Sequence, residues 1–109
     1  MINIDDFDKV ELRVGRIVNV EDIEGARRPI YKLSIDFGAE LGIRTVAAGI
    51  KNIYLKEELL NKRVVCVVNL EPKRVAGIES QGMILAAGEG ENVAIISPER
   101  DVAEGSRVH

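Results

Sequence analysis

The chain is poor in the residues that usually do chemistry. Among 109 residues there is one cysteine, one histidine and no tryptophan. A lone cysteine makes no internal disulfide, which fits a reducing compartment. Cys66 lies inside an apolar run and reads as a small core residue, not a nucleophile. His109 is the last residue, where order is commonly lost, and no Cys/His cluster has metal-ligand spacing. Neither GxxxxGK[ST] nor GxGxxG is present, and Gly88-Glu89-Gly90 has no helix behind it. Carboxylates are plentiful but scattered, as on a solvated surface. No catalytic centre, metal site or cofactor is therefore expected. Apolar runs stay well short of the roughly 18 residues that read as a membrane span. The opening MINIDDFDKVEL is acidic where a signal peptide needs a basic end. These features predict a cytoplasmic protein. Phe7, Tyr31, Phe37 and Tyr54 are all the aromatics there are, and each reads as core or edge packing, so no base-stacking platform is expected. The formal net charge of −3 requires any basic patch to be local.

What is present centres on Arg63–Ala87. Val64, Val65, Cys66, Val67 and Val68 form an apolar strand with no room for a solvent face, and Met83 to Ala87 form another. The intervening loop carries Glu71, Pro72, Lys73, Arg74, Glu79, Ser80 and Gln81, with Gly77 and Gly82 as flexible points. A polar loop between buried strands presents a binding surface on a rigid frame.

The rest of the chain supplies that frame. Ile4–Val10 reads as a short helical turn with Asp5 or Asp6 as N-cap and Phe7 as its apolar anchor. From Val10 the period is two. Val10, Leu12, Val14, Val18 and Val20 fall on one face and Glu11, Arg13, Asn19 and Glu21 on the other, Arg16 and Ile17 being exceptions. Gly15 suggests a bulge or sharp bend in this strand. The loop Glu21–Pro29 carries Arg27 and Arg28, which are either solvated charges on an exposed turn or one side of an anion site. Ile30–Phe37 alternates, with Tyr31, Leu33, Ile35 and Phe37 inward. After a turn at Gly38–Gly42, Ile43–Gly49 is a third strand whose small end, Ala47-Ala48-Gly49, permits either close packing or ligand approach. LKEELLNK within Asn52–Lys62 predicts a helix, Leu55, Leu59 and Leu60 forming its apolar stripe. Asn92–Ser97 adds a last extended piece.

Three strands, a helix and two strands is the order of an OB-fold, here an all-β, five-stranded barrel with short helices and N- and C-terminal extensions, one domain over residues 1–109. That fold binds oligonucleotides on strands 2 and 3 and through the loops joining strands 1–2 and 4–5. Those two loops are the ones carrying Arg27 with Arg28, and Lys73 with Arg74.

On this frame NLEPKRVAGIESQGMILAA, Asn69–Ala87, resembles the signature of the tRNA-binding domain family, which includes the appended domain and β subunit of methionyl-tRNA synthetases and free-standing tRNA-binding proteins. FDKVELRVGRIVNVE at Phe7–Glu21, VAAG at Val46–Gly49 and EELLNKRVVCVVNLEP at Glu57–Pro72 extend the match. In contrast, EGARRPIYKLSIDFG at Glu24–Gly38 resembles CsaA, a relative described as a secretion chaperone. The chain combines both patterns.

The resemblance implies non-catalytic binding of folded tRNA through shape and phosphate contacts, in trans to an aminoacyl-tRNA synthetase. Arg27, Arg28, Lys73 and Arg74 are the expected phosphate contacts, with Lys32 and Arg44 as further members of the set. Ser80 and Met83 match the family's binding-loop motif, Ser80 offering a hydroxyl and Met83 an adaptable apolar contact or a core residue. A homodimer is also implied, its contact formed by the terminal extensions. The continuous apolar strands need cover, from a second subunit or from the helix and C-terminal strand of the same chain. The alternative is a CsaA-like chaperone that takes unfolded or export-bound polypeptide in an apolar groove. A third possibility is a structural subunit that tethers a synthetase.

Overall fold

Alternation in Ile30–Phe37 produces the clearest strand. A computed structural model describes every residue from Met1 to His109. In it β2, Tyr31–Asp36, buries Tyr31, Leu33 and Ile35, with Phe37 just beyond. On one side β2 pairs with β1, Leu12–Asp22, and on the other with β3, Ile43–Ala48. β4, Arg63–Val67, joins the other side of β1, and β7, Met83–Ile84, follows, giving the antiparallel order β3-β2-β1-β4-β7. β1 is long enough to serve both halves: Leu12–Arg16 pair with β4 and Arg16–Asp22 with β2. This curled sheet with three short helices, α1 (Ile4–Asp8), α2 (Gly38–Leu41) and α3 (Lys56–Leu59), is the expected OB-type barrel.

The face assignment of β1 differs from the sequence pattern. Its register shifts between Ile17 and Asn19, so the bulge lies at Val18 and not at Gly15. An extra residue exchanges the faces of all that follow. Ile17 opposite Ile35 and Val20 opposite Leu33 therefore both point into the core. Leu12 and Val14 lie opposite Val67 and Val65 on the other face of the sheet. Gly15 instead marks a close approach: a Cβ there would lie 2.5 Å from Ile35 Cγ2 and 2.7 Å from Phe37 Cε1.

Val64, Val65, Cys66, Val67 and Val68 are all buried within the single chain. No second subunit is needed to cover them. Burial pushes the Cys66 thiol up to about 12, consistent with an inert core residue. The second apolar run is not one buried strand. β7 ends at Ile84, and β8, Ala86–Glu89, turns away to form a hairpin with β9, Asn92–Ile95. Met83, Ala86 and Ala87 are exposed. Alanines have little apolar area to bury, so nothing holds this half of the run inside.

The helices also depart in detail. Asn3, not Asp5 or Asp6, caps α1: its Oδ1 accepts from the Asp6 N–H at 2.9 Å. Phe7 is more than a third exposed and does not anchor α1 in the core. α3 is a single turn that buries Leu59 and leaves Leu55 and Leu60 exposed. Asn61 at φ 69° stops it, since a left-handed residue cannot continue a helix. The C-terminal segment forms a strap. β10, Arg107–Val108, pairs with Arg13 and Leu12, and the Gly105 N–H donates to Val14 O at 2.7 Å.

Candidate nucleic-acid interface

The charged loop of Asn69–Gly82 folds as a hairpin of its own. β5, Lys73–Val75, pairs with β6, Ile78–Ser80, in a two-stranded sheet separate from the barrel. Its two-residue turn puts both Ala76 (φ 51°) and Gly77 (φ 86°) in the left-handed region, as a type I′ hairpin requires. Arg74 donates to Gly77 O at 3.0 Å, which steadies this tip.

Two side chains dock the hairpin on the barrel. The Ala47 N–H donates to Ser80 Oγ at 3.0 Å, and the Thr45 N–H to Gln81 Oε1 at 2.9 Å. The Gln81 N–H returns a bond to Thr45 O at 2.8 Å. Side-chain oxygens thus occupy places on the β3 edge that a neighbouring strand's carbonyls would fill. Ser80 is buried, and its hydroxyl donates in turn to Gly82 O at 3.2 Å. The hydroxyl expected from the sequence to face a ligand is thus engaged internally, while Ser80 also lines the groove beside the hairpin. The sequence places Gln81 in this loop but not among the expected contacts. The only signal available was its place between Ser80 and Gly82.

The first loop reaches the same end of the barrel. Tyr31, where it re-enters the sheet, pairs with Ala48, and Lys51 N–H donates to Pro29 O at 3.1 Å. Lys73 stands opposite Ser80, which holds Ala47. The Arg27–Arg28 loop and the base of the basic hairpin therefore flank Ala47–Gly49. Lys32 lies opposite Ala47 on the outer face and is paired with Glu21 at 3.5 Å. Arg44 is elsewhere. It shares the strand parity of core-facing Val46 and donates through Nη1 to Val68 O at 2.6 Å, so its guanidinium ties β3 to the end of β4.

Ion pairing sorts the remaining cations. Lys9, Arg13, Arg16, Lys51, Lys56 and Arg63 each have a carboxylate partner. Arg27, Arg28, Lys73 and Arg74 have none and are exposed. In an acidic chain, the cations left free for an outside anion include both predicted loop pairs.

Between the hairpin and β3 lies a groove of about 490 Å³. Ala47, Leu70, Val75 and Met83 supply its apolar lining, with Glu71 and Lys73 at its polar side. A second hollow of about 260 Å³ shares Ala47 and Met83 with it. Met83 separates the two and is about half exposed (48%), so it is a surface contact, not a core residue.

The family model described as "Putative tRNA binding domain" matches residues 12–107. Methionine–tRNA ligase of Pyrococcus horikoshii is 49% identical over 107 residues, which is 98% of this chain and 14% of that enzyme. The chain thus spans about one-seventh of the length of such curated relatives. Among solved structures, the CsaA chaperone protein of Picrophilus torridus superposes with a TM-score of 0.93 at 38% identity over all of both chains. The MetRS related protein of Pyrococcus horikoshii gives 0.89 at 36% identity, over all of this chain and 98% of that one. The sequence, the barrel and these likenesses agree: the chain belongs to the tRNA-binding domain family.

Proposed function

We propose that the chain is a non-catalytic module that binds folded tRNA, serving an aminoacyl-tRNA synthetase to which it is joined or beside which it works. The observation that carries this is the placement of unpaired Arg27, Arg28, Lys73 and Arg74 on two loops flanking Ala47–Gly49. Two separated cation pairs suit the spaced phosphates of a folded RNA better than one small anion. Ser80 serves the site by holding the hairpin in place, Met83 by its exposed thioether, and Lys32 by standing beside Ala47 on the outer face. Arg44 contributes by bracing the barrel.

We also propose a homodimer. Ile2, Ile4, Phe7 and Val10 on and beside α1 are exposed apolar side chains that a second copy would cover. Doubling the loops would raise avidity for an RNA that spans both subunits.

A CsaA-like chaperone activity is the second reading, favoured by the apolar groove and by the superposition on the Picrophilus torridus protein. One titration separates the two. The protein, mixed in one buffer with folded tRNA or with an unfolded polypeptide, is expected to retain the tRNA and release the polypeptide. Retention of polypeptide alone would reverse the order.

A further inference from the structure

We infer that Asp22, clasped by Lys51 and Lys56, braces the Arg27–Arg28 loop and so positions those two cations for RNA phosphates. The inference rests on the tRNA-binding reading and adds three positioning residues to it.

The loop has a narrow neck. Asp22 at its entry pairs with Tyr31 at its exit, and between them Arg27 and Arg28 are exposed. The loop's own bonds are local: the Ala26 N–H donates to Ile23 O at 3.2 Å and the Ile30 N–H to Arg28 O at 2.8 Å. Such turns set the loop's shape but not its tilt against the barrel. The tilt is set from outside, by the segment from Lys51 to Lys56 that follows β3. Lys51 holds both ends of the loop. Its N–H donates to Pro29 O at 3.1 Å, and its Nζ lies 2.9 Å from Asp22 Oδ1. Lys56, at the start of α3, donates to Asp22 Oδ2 at 2.8 Å. Within the same segment Tyr54 O accepts from the Tyr31 hydroxyl at 2.8 Å, and the Tyr54 hydroxyl oxygen accepts from the Ile95 N–H at 3.1 Å. The support under the loop is thereby fastened to the core and to β9.

Charge gives Asp22 the central part. One carboxylate, with an oxygen for each ammonium group, keeps two like charges side by side. Without its charge the two lysines repel each other, and the side chain that ties Lys51 to the loop's entry is released. All three side chains are nearly half exposed, so their ion pairs add little to overall stability. What they fix is direction. A cation already held in place loses less freedom on binding than one that swings.

The test measures folded-tRNA affinity for the full chain and for Asp22→Asn, each also combined with Arg27→Ala/Arg28→Ala or with Lys73→Ala/Arg74→Ala. Removing a negative charge beside an RNA site should by itself strengthen binding. A brace gives the reverse: Asp22→Asn should bind about three- to tenfold more weakly, the scale of one or two side chains losing their preordering. The loss should persist beside Lys73→Ala/Arg74→Ala and vanish beside Arg27→Ala/Arg28→Ala, where nothing is left to position. Asp22→Glu, which keeps the charge, should recover most of the affinity, and the thermal midpoint should hardly move in either variant. Hydrogen exchange reads the brace without RNA. The Lys51 amide should exchange faster in Asp22→Asn, while Leu33 and Ile35 in β2 stay as protected as before. Affinity unchanged or raised in Asp22→Asn overturns the inference, and so does a loss of equal size in both backgrounds or unchanged exchange at Lys51. Failure of the wild type to retain tRNA at low salt removes the tRNA-binding reading, and the exchange measurement then still decides whether Asp22 holds the loop.

Discussion

Gly15 shows how a single residue sets the barrel's interior. It sits on β1 opposite Val64, one residue before Arg16, where β2 and β4 both reach that strand, and it faces Ile35 and Phe37. A methyl group there would meet Ile35 Cγ2 at 2.5 Å and Phe37 Cε1 at 2.7 Å. Real Cβ atoms do not approach so closely, so one of those core side chains must leave its place. Gly15→Ala is expected to lose about 1–3 kcal/mol, the usual range for an overpacked core, seen as a lower denaturant midpoint with an unchanged m-value. The sequence pointed to Gly15 for a different reason. A glycine inside a strand signals either a bulge or a close contact, and only the packed partners tell them apart. Ser80 is a parallel case. Its residue type suits a ligand-facing hydroxyl and an internal acceptor equally, and only the structure shows its bond to Ala47, 33 residues away in sequence.

At the scale of elements, the C-terminal strap is the most condition-dependent part of the molecule. Glu104 Oε1 accepts from Arg16 Nε at 3.0 Å and Arg63 Nη2 at 3.4 Å. Its own backbone N–H and then the Arg16 bond hold its carboxyl below the ordinary value of 4.5, with the charges of Arg63 and Arg16 adding to this. A carboxylate with a lowered folded pKa stabilises the fold above its unfolded value, and that contribution is lost as pH falls through the folded one. The strap should therefore hold at neutral pH and loosen in acid below about 4.5. Hydrogen exchange at the Gly105 and Val14 amides, followed through the acid range, should rise in the wild type. In Glu104→Gln it should be faster at neutral pH and nearly flat as pH falls. Strand order, the buried β4 and the alternation of β2 were all readable, because each rests on local periodicity. The length of α3 was not, since one left-handed residue, Asn61, overrides an otherwise helical pattern. Nor was the break after Ile84, where a run that looks uniformly apolar contains alanines too small to hold it inside. The strap's ion pairs join residues about 40 and 90 positions apart, beyond anything a local pattern can reveal.

For the whole molecule, charge placement matters more than total charge. The chain is acidic overall, and much of its positive charge is cancelled within the surface by its own carboxylates. Asp22 illustrates this: bonds from Lys56 first and Lys51 second hold its carboxyl below the ordinary range. What remains for an RNA includes the two loop pairs, whose four cations are exposed and have no carboxylate partner. Replacing Arg27 and Arg28 by Ala should reduce the magnitude of the salt slope for tRNA by about two, and replacing Lys73 and Arg74 should do the same. Arg44→Ala should leave the slope unchanged, because that guanidinium is part-buried against Val68 O and not presented on either loop, and should lower the thermal midpoint instead. Both loops were legible as basic in the sequence. That Arg44 stands apart from them was not, because its place depends on which face of β3 it occupies.

The small hairpin of β5 and β6 also has a meaning for how such modules diversify. Its two strands pair only with each other, and its side chains contribute little to the core beyond Ser80. The two-residue turn at Ala76 and Gly77 fixes which side of the ribbon shows Lys73 and Val75 and which shows Arg74. One residue gained or lost on either strand would turn the ribbon over, exchanging the side that shows Lys73 and Val75 for the side that shows Arg74 while the barrel beneath stayed intact. Descendants of one scaffold could in this way acquire new ligands by slippage at a single turn, with no change to the core that folds them.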